Sequence, residues 1–155
     1  MDAWNNIDPL FLQWQTGRIC WSYAHWTGRR LVETDDAATA VGQLMQAAFA
    51  VLSHDTRAEP VFNYANLAAQ RLFRMDWSEM TRLPSRLSAE PMVQDERAHF
   101  LQRVTQHGYI DDYVGIRIAG DGSKFRIQHA TVWNIVDAHG GYYGQAAMIP
   151  SWQPL

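Results

Sequence analysis

The chain has 155 residues, enough for one domain that buries roughly 70% of its unfolded surface. Hydrophobic residues make up 47% and charged residues 19%, which excludes a disordered segment and supports a packed core. A formal charge of −3 and a pI near 6.0 supply no basic field for phosphates, so no nucleic-acid partner is expected.

The opening, Met1 to Pro9, lacks the basic start and apolar run of a secretory signal. No apolar run approaches the ~20 residues that cross a bilayer, so no membrane partner is expected either. The single Cys20 rules out an internal disulfide and fits a reducing compartment. The expected location is cytoplasmic.

Asp8-Pro9 predicts a helix start, with Asp as the cap and Pro in the first turn, and the helical pattern runs through Trp26 to Gly28. Trp4, Trp14, Trp21 and Trp26 crowd this leading segment and need a surface to pack on, either their own domain or a second copy. A second helix begins at Thr34-Asp35-Asp36 and carries Ala37, Val41, Leu44, Met45 and Ala48 at helical spacing. The run Ala48 to Ser53 turns into a first strand, and Val61 to Tyr64 forms a second. That strand passes directly into a helix capped by Asn66 and ending near Phe73. Asp76 to Met80 adds a helical turn, and Leu83 to Pro91 is an irregular connector. Glu96 to His107 is an amphipathic helix with Phe100, Leu101 and Val104 on one side. Three strands close the chain, Tyr109–Ile118, Lys124–Asp137 and Tyr142–Ile149, joined by turns at Asp121-Gly122 and Gly140-Gly141. There is no repeat, low-complexity tract or linker. We divide the chain into an N-terminal helical extension, 1–47, and a domain, 48–155.

A strand pair, then short helices, then a three-strand meander is the order of a PAS-type sensor domain. The expected class is α+β: a PAS-like five-stranded antiparallel sheet with short helices on one face and N-terminal flanking helices. If Asp121-Gly122 fills a two-residue turn, Ile118 faces Phe125, Ile116 faces Ile127 and Val114 faces His129. Asp112, Thr131 and Trp133 continue that apolar face. Arg117 against Arg126, Gly115 against Gln128 and Tyr113 against Ala130 fall on the other, where the arginines belong in solvent or against an acidic partner.

Several segments carry a family resemblance: Phe62-Asn-Tyr-Ala-Asn, Leu83-Pro-Ser-Arg-Leu-Ser-Ala-Glu-Pro, Ile110-Asp-Asp-Tyr, Phe125-Arg-Ile, Ala130-Thr-Val-Trp-Asn and Gly144-Gln-Ala-Ala. In these the chain resembles the MEKHLA domain, a PAS-related family, from the leading helix to about Ile149. The Asp-Ile-Thr that often closes a PAS domain is replaced by Met148-Ile-Pro. The resemblance implies a PAS-like fold and a sensing or regulatory role, without a ligand or catalytic set.

The chemistry-bearing residues are read against plainer roles. Asp111 and Asp112 are neighbours in a strand, point to opposite faces, and cannot share a proton there. Asp112 near His129 on the apolar face is either a satisfied structural pair or a polar anchor in a ligand pocket. Tyr64 and Trp133 at such positions are core residues or pocket wall. His99 and His107 stand too far apart around their helix to grip one metal, and no zinc spacing exists. A flavin photoadduct needs a cysteine that Cys20 cannot supply. Ser53-His54-Asp55 is sequential, not a triad. Gln145 could face a ring, on a side of the sheet that the turn length leaves open.

The expected function is a sensor or regulatory domain that holds a small apolar or aromatic molecule, with Tyr64, Asp112, His129, Thr131 and Trp133 as ligand-binding residues. Its signal is expected to pass by association, as a homodimer through the N-terminal helix. No catalytic residue, metal or cofactor is assigned. The alternatives are a small enzyme using Asp112 and His129 as acid and base, and an interaction module with a filled core.

Overall fold

The computed structural model describes residues 4–155 except Glu90, with side chains undescribed at 91–94. Met1 to Ala3 of the opening segment and Glu90 of the Leu83–Pro91 connector lie outside the described residues. Among the described residues five helices and six strands follow one another: α1 (Pro9–Thr27), α2 (Ala37–Met45), β1 (Ala50–His54), β2 (Phe62–Ala65), α3 (Leu67–Phe73), α4 (Trp77–Met80), α5 (Pro91–His107), β3 (Tyr109–Ile118), β4 (Lys124–Val136), β5 (Tyr142–Ile149) and β6 (Ser151–Pro154). A short 3-10 turn, Ser85–Ser88, stands between α4 and α5.

The helix ends follow their capping chemistry. Asp8 accepts from Leu10 N, Asp36 from Thr39 N and Asn66 from Ala69 N, and Asp76 forms a full capping box with Glu79. The antiparallel sheet runs β2-β1-β5-β4-β3. β4 is long enough to pair β5 along Thr131–Val136 and β6 along Phe125–Gln128. Pro150 separates those two partners: it lacks an N–H and cannot extend the ladder, so Ser151 restarts pairing on β4 as a sixth strand.

Both faces of the sheet are covered, which gives two apolar layers. On one, α1 and α2 pack Leu12, Ile19, Tyr23, Leu44 and Met45 onto Val51, Tyr64, Trp133 and Ile135. On the other, α3 and α4 bring Ala69, Phe73 and Met80 over Leu52, Phe125, Ile127 and Ile149. The leading aromatics divide accordingly. Tyr23 meets Trp133 edge-on at 4.9 Å, and Trp26 Nε1 donates to Asn134 O at 2.9 Å. Trp14 and Trp21 turn outward.

The register of the β3–β4 hairpin differs from the expectation. Its loop has three residues, because Ala119 N donates to Ser123 O and Gly122 N to Ala119 O, with Gly122 at φ +86°. Asp121 Oδ1 fixes this loop by accepting from Ser123 N and Oγ at 3.0 and 2.6 Å. Ile118 therefore faces Lys124, Arg117 faces Phe125 and Gly115 faces Ile127, one residue from the expected pairing. Two bulges follow, Asp111-Asp112 in β3 and Gln128-His129 in β4, with Asp112 at φ +58° and His129 at φ +54°. Between them the expected pair Tyr113 and Ala130 is present. The β4 bulge inverts the strand's phase, so Phe125 and Ile127 share a layer with Ala130, while Trp133 and Ile135 lie in the α1 layer.

Candidate functional site

A cavity of about 60 Å³ lies between the inner face of the sheet, α3 and α5. Leu52, Phe62, Phe73, Ile127 and Ile149 make its apolar wall. Its polar groups are Ser53, His54, Ser88, Arg97, Arg117 and Gln145, beside the aromatic pair Phe100 and Tyr113.

The connector between α4 and α5 places Arg97. Ser85 N donates to Pro60 O and Phe62 N to Leu83 O, which ties the 3-10 turn to the entry of β2. The fully buried Ser85 then accepts from Arg97 Nη2 at 2.9 Å. Burial pushes the Arg97 guanidinium down to about 10, and the like charge of Arg117 adds to the shift. Arg117 Nη2 donates to Tyr113 Oη at 2.9 Å, and the Tyr113 ring stacks on Phe100 with centroids 4.0 Å apart. Among the described residues neither arginine has a carboxylate partner.

His54 closes another side. Its Nδ1 lies 2.9 Å from Asp55 O, and a carbonyl only accepts, so Nδ1 carries the proton. Burial, and secondarily the charge of Arg97, lowers the ring's affinity for a second proton. Gln145 stands opposite His54 in the sheet and favours its protonation, yet does not meet Nε2 in hydrogen-bond geometry. Nε2 is therefore a buried lone pair without a partner.

Gln145 owes its side of the sheet to a third bulge, at Tyr143-Gly144. Gly144 has φ +117°, and a Cβ there would run into the His54 carbonyl oxygen, so only glycine permits this crossing. The Gln145 amide donates to Leu101 O, Thr105 Oγ1 and Asn134 Oδ1, while Asn134 Nδ2 donates to Val104 O. Together these satisfy carbonyls in the last turns of α5 and hold that helix over the cavity.

None of the five residues expected to bind a ligand lines this cavity. Tyr64, Thr131 and Trp133 are buried, and Tyr64 and Trp133 belong to the α1 layer. Thr131 Oγ1 donates to Asp111, which also pairs with Arg29. Trp133 Nε1 donates to Ser22 Oγ, and the Tyr64 hydroxyl has no partner. Asp112 and His129 do meet, with Nδ1 2.9 Å from Oδ1, but their side chains are 77% and 72% exposed. They cap the two bulges on the outer surface, because positive φ swings each out of the strand's alternation. His99 and His107 are exposed, and no cluster of three metal-ligating groups exists among the described residues. The Cys20 thiol, raised to about 12 by burial, lies in α1.

The sequence reading missed Arg97, Arg117, Tyr113 and His54. A signal for Arg117 existed: Gly120-Asp-Gly fits a three-residue loop with glycine at its left-handed position, which turns Tyr113, Gly115 and Arg117 inward.

The MEKHLA domain family matches residues 13–154 of this chain. No curated protein matches it in sequence. Among solved structures it is similar to the PAS domain of a protein from Colwellia psychrerythraea, with 11% identity and a TM-score of 0.63 over 73% of this chain and 93% of that one. A light-oxygen-voltage domain studied with a flavin analogue is 18% identical, with a TM-score of 0.57 over 76% and 84%. An RNA-binding light-oxygen-voltage receptor is 16% identical, with a TM-score of 0.62 over 78% of this chain and 36% of that one. At these identities the likeness is one of fold. No helix among the described residues is long and apolar enough to cross a membrane.

Proposed function

The chain belongs to the MEKHLA domain family, and from its PAS-like fold we propose a sensor or regulatory domain that takes a small ligand in the chamber under α5 and reports its presence by protein association. The observation that supports a ligand most directly is the buried, partnerless Nε2 of His54 in the wall of the cavity. Such an orphaned group costs roughly 1–3 kcal/mol, and a ligand atom donating to it removes that cost.

The chamber's 60 Å³ suits a molecule of a few heavy atoms. Pockets for drug-sized ligands run to about 300–1,000 Å³, so the flavin named with one similar structure is a poor fit.

The association part of the proposal rests on α1, with a second copy of the chain as partner. Leu10, Trp14 and Trp21 are 60%, 60% and 42% exposed and recur on one side of the helix with Gly17 between them. Nothing lies within 4 Å of a Cβ at Gly17, so the stripe is open to another helix. The spacing of 4, 3 and 4 residues is that of a helix–helix seam. A cytoplasmic location belongs to the same proposal.

Native mass spectrometry with an absorbance spectrum of freshly purified protein tests the ligand. Adduct mass or cavity-directed binding supports it, and a bare chain that binds no small molecule points to an interaction module with a filled core. Sedimentation of the Trp14→Glu, Trp21→Glu chain tests the partner: loss of a dimer supports the α1 seam, and an unchanged monomer removes it.

A further inference from the structure

From the two guanidinium groups in the chamber wall we infer that the ligand is a small organic acid, its carboxylate held between Arg97 and Arg117 and its apolar tail on Leu52, Phe62 and Ile127. The inference rests on the reading of the chamber as a ligand site and names the chemistry of that ligand.

Three observations carry it. The arginines come from different elements, α5 and β3, yet line one cavity, and each is already oriented. Arg97 is held by Ser85 Oγ, and Arg117 by Tyr113 Oη and the carbonyl of Ile116. Both are half-buried, and among the described residues no acidic side chain compensates either charge. A pair of like charges in a half-buried cavity is unfavourable until an anion joins it, and guanidinium forks match the two oxygens of a carboxylate. The wall also carries Leu52, Phe62, Phe73, Ile127 and Ile149, which suit a hydrocarbon tail and offer no polar contact to an inorganic oxyanion. The neutral His54 adds an acceptor at Nε2, so an acid that also bears a hydroxyl gains a further partner.

Neutral amides and alcohols of the same shape lack the charge, and that difference supplies the test. The full chain is titrated with isobutyrate, isobutyramide, isobutanol and inorganic phosphate while arginine Nε–Hε and cavity methyl signals are followed by NMR. Isobutyrate is expected to shift Arg97 and Arg117 together with the methyls of Leu52 and Ile127, and the amide and alcohol are not. Arg117→Gln and Arg97→Gln are each expected to weaken isobutyrate binding ten- to hundredfold, on the order of one charge-assisted hydrogen bond. Arg117→Lys keeps the charge and is expected to recover part of the affinity. Equal binding of the amide or alcohol overturns the acid and leaves the chamber as a ligand site. Phosphate binding as tightly as isobutyrate overturns the apolar tail. Silence of every cavity signal toward all four compounds removes both the acid and the chamber reading.

Discussion

Asn66 is the joint between the helices on one face of the sheet and the chamber on the other. Fully buried, its Oδ1 accepts from Val51 N at 2.9 Å and Ala69 N at 3.0 Å. Its Nδ2 donates to Leu44 O and Phe49 O, both at 2.9 Å. In Asn66→Ala, Leu44 O keeps its bond from Ala47 N at 3.3 Å, while Val51 N, Ala69 N and Phe49 O lose theirs. An unpaired buried backbone group costs about 1–3 kcal/mol, and some water entry pulls the sum toward the low end. The expected loss is about 4 kcal/mol, of which the helix cap alone accounts for about 1. For a chain of this size that is a drop of about 8–16 °C in Tm. Asn66→Asp separates the parts: it keeps the cap and the bond from Val51, but sets a carboxylate against two carbonyl oxygens. It is expected to lose more than half of what Asn66→Ala loses. Urea unfolding of the three chains with matched m-values measures both. A loss of about 1 kcal/mol in Asn66→Ala would mean that the residue is only a cap and joins nothing.

The other predictions concern single groups. Tyr64→Phe removes a buried hydroxyl with no partner and is expected to leave stability unchanged or raise it by up to about 1 kcal/mol, read from the urea midpoint. Asp112→Val forces a β-branched residue to φ +58° and is expected to cost about 1–2 kcal/mol, while Asp112→Gly stays within about 1 kcal/mol of the parent, although both lose the bond to His129. Burial holds His54 below its ordinary 6.5, so the unfolded chain binds the extra proton more readily. Its contribution is fully present above pH 6.5 and falls away as the pH drops below that value. His54→Phe is expected to flatten that limb of the stability curve, and an unchanged limb would place the titration elsewhere. Trp26→Phe removes the bond to Asn134 O but keeps most of the packing, and about 1 kcal/mol of local stability corresponds to about fivefold faster amide exchange at Asn134 and Gly108.

Most of the fold was legible because its punctuation is local. Asp8-Pro9, Asp36, Asn66 and Asp76 announce helices through side chains that bond their own first turns, and Gly28 ends the first of them in the left-handed region. β3 and β5 match their expected bounds, and β4 ends one residue early. The site was not legible, because it depends on phase. A period of two carries a face along a strand only while no residue is added, and here bulges intervene at Asp112, His129 and Gly144. Neither aspartate nor histidine advertises a bulge as Asn-Gly advertises a turn. Alternation offered no check either, since α1 covers the outer face and makes both sides of β4 apolar. Val132 and Trp133 are both buried, in opposite layers, which alternation of polar and apolar residues cannot reveal.

The same bulges explain how one sheet serves two layers. Beyond His129, β4 directs Asn134 toward α5 and Trp133 toward α1, so adjacent residues hold the helix over the chamber and the helix on the outside. Asn134 joins the two in one residue. Its side chain takes the Val104 carbonyl of α5, its N–H bonds Gly108, and its own carbonyl accepts from Trp26 of α1. Arg97 lies on the same α5. A displacement of that helix toward a bound anion would load Asn134 and Gln145 at its far end, and through Asn134 the indole of Trp26. Side chains in contact transmit such a load only when the element that moves has two discrete positions. Neither Arg97 nor Arg117 has a carboxylate partner among the described residues, so an anion joining them is the event that would set one such position of α5 apart from another.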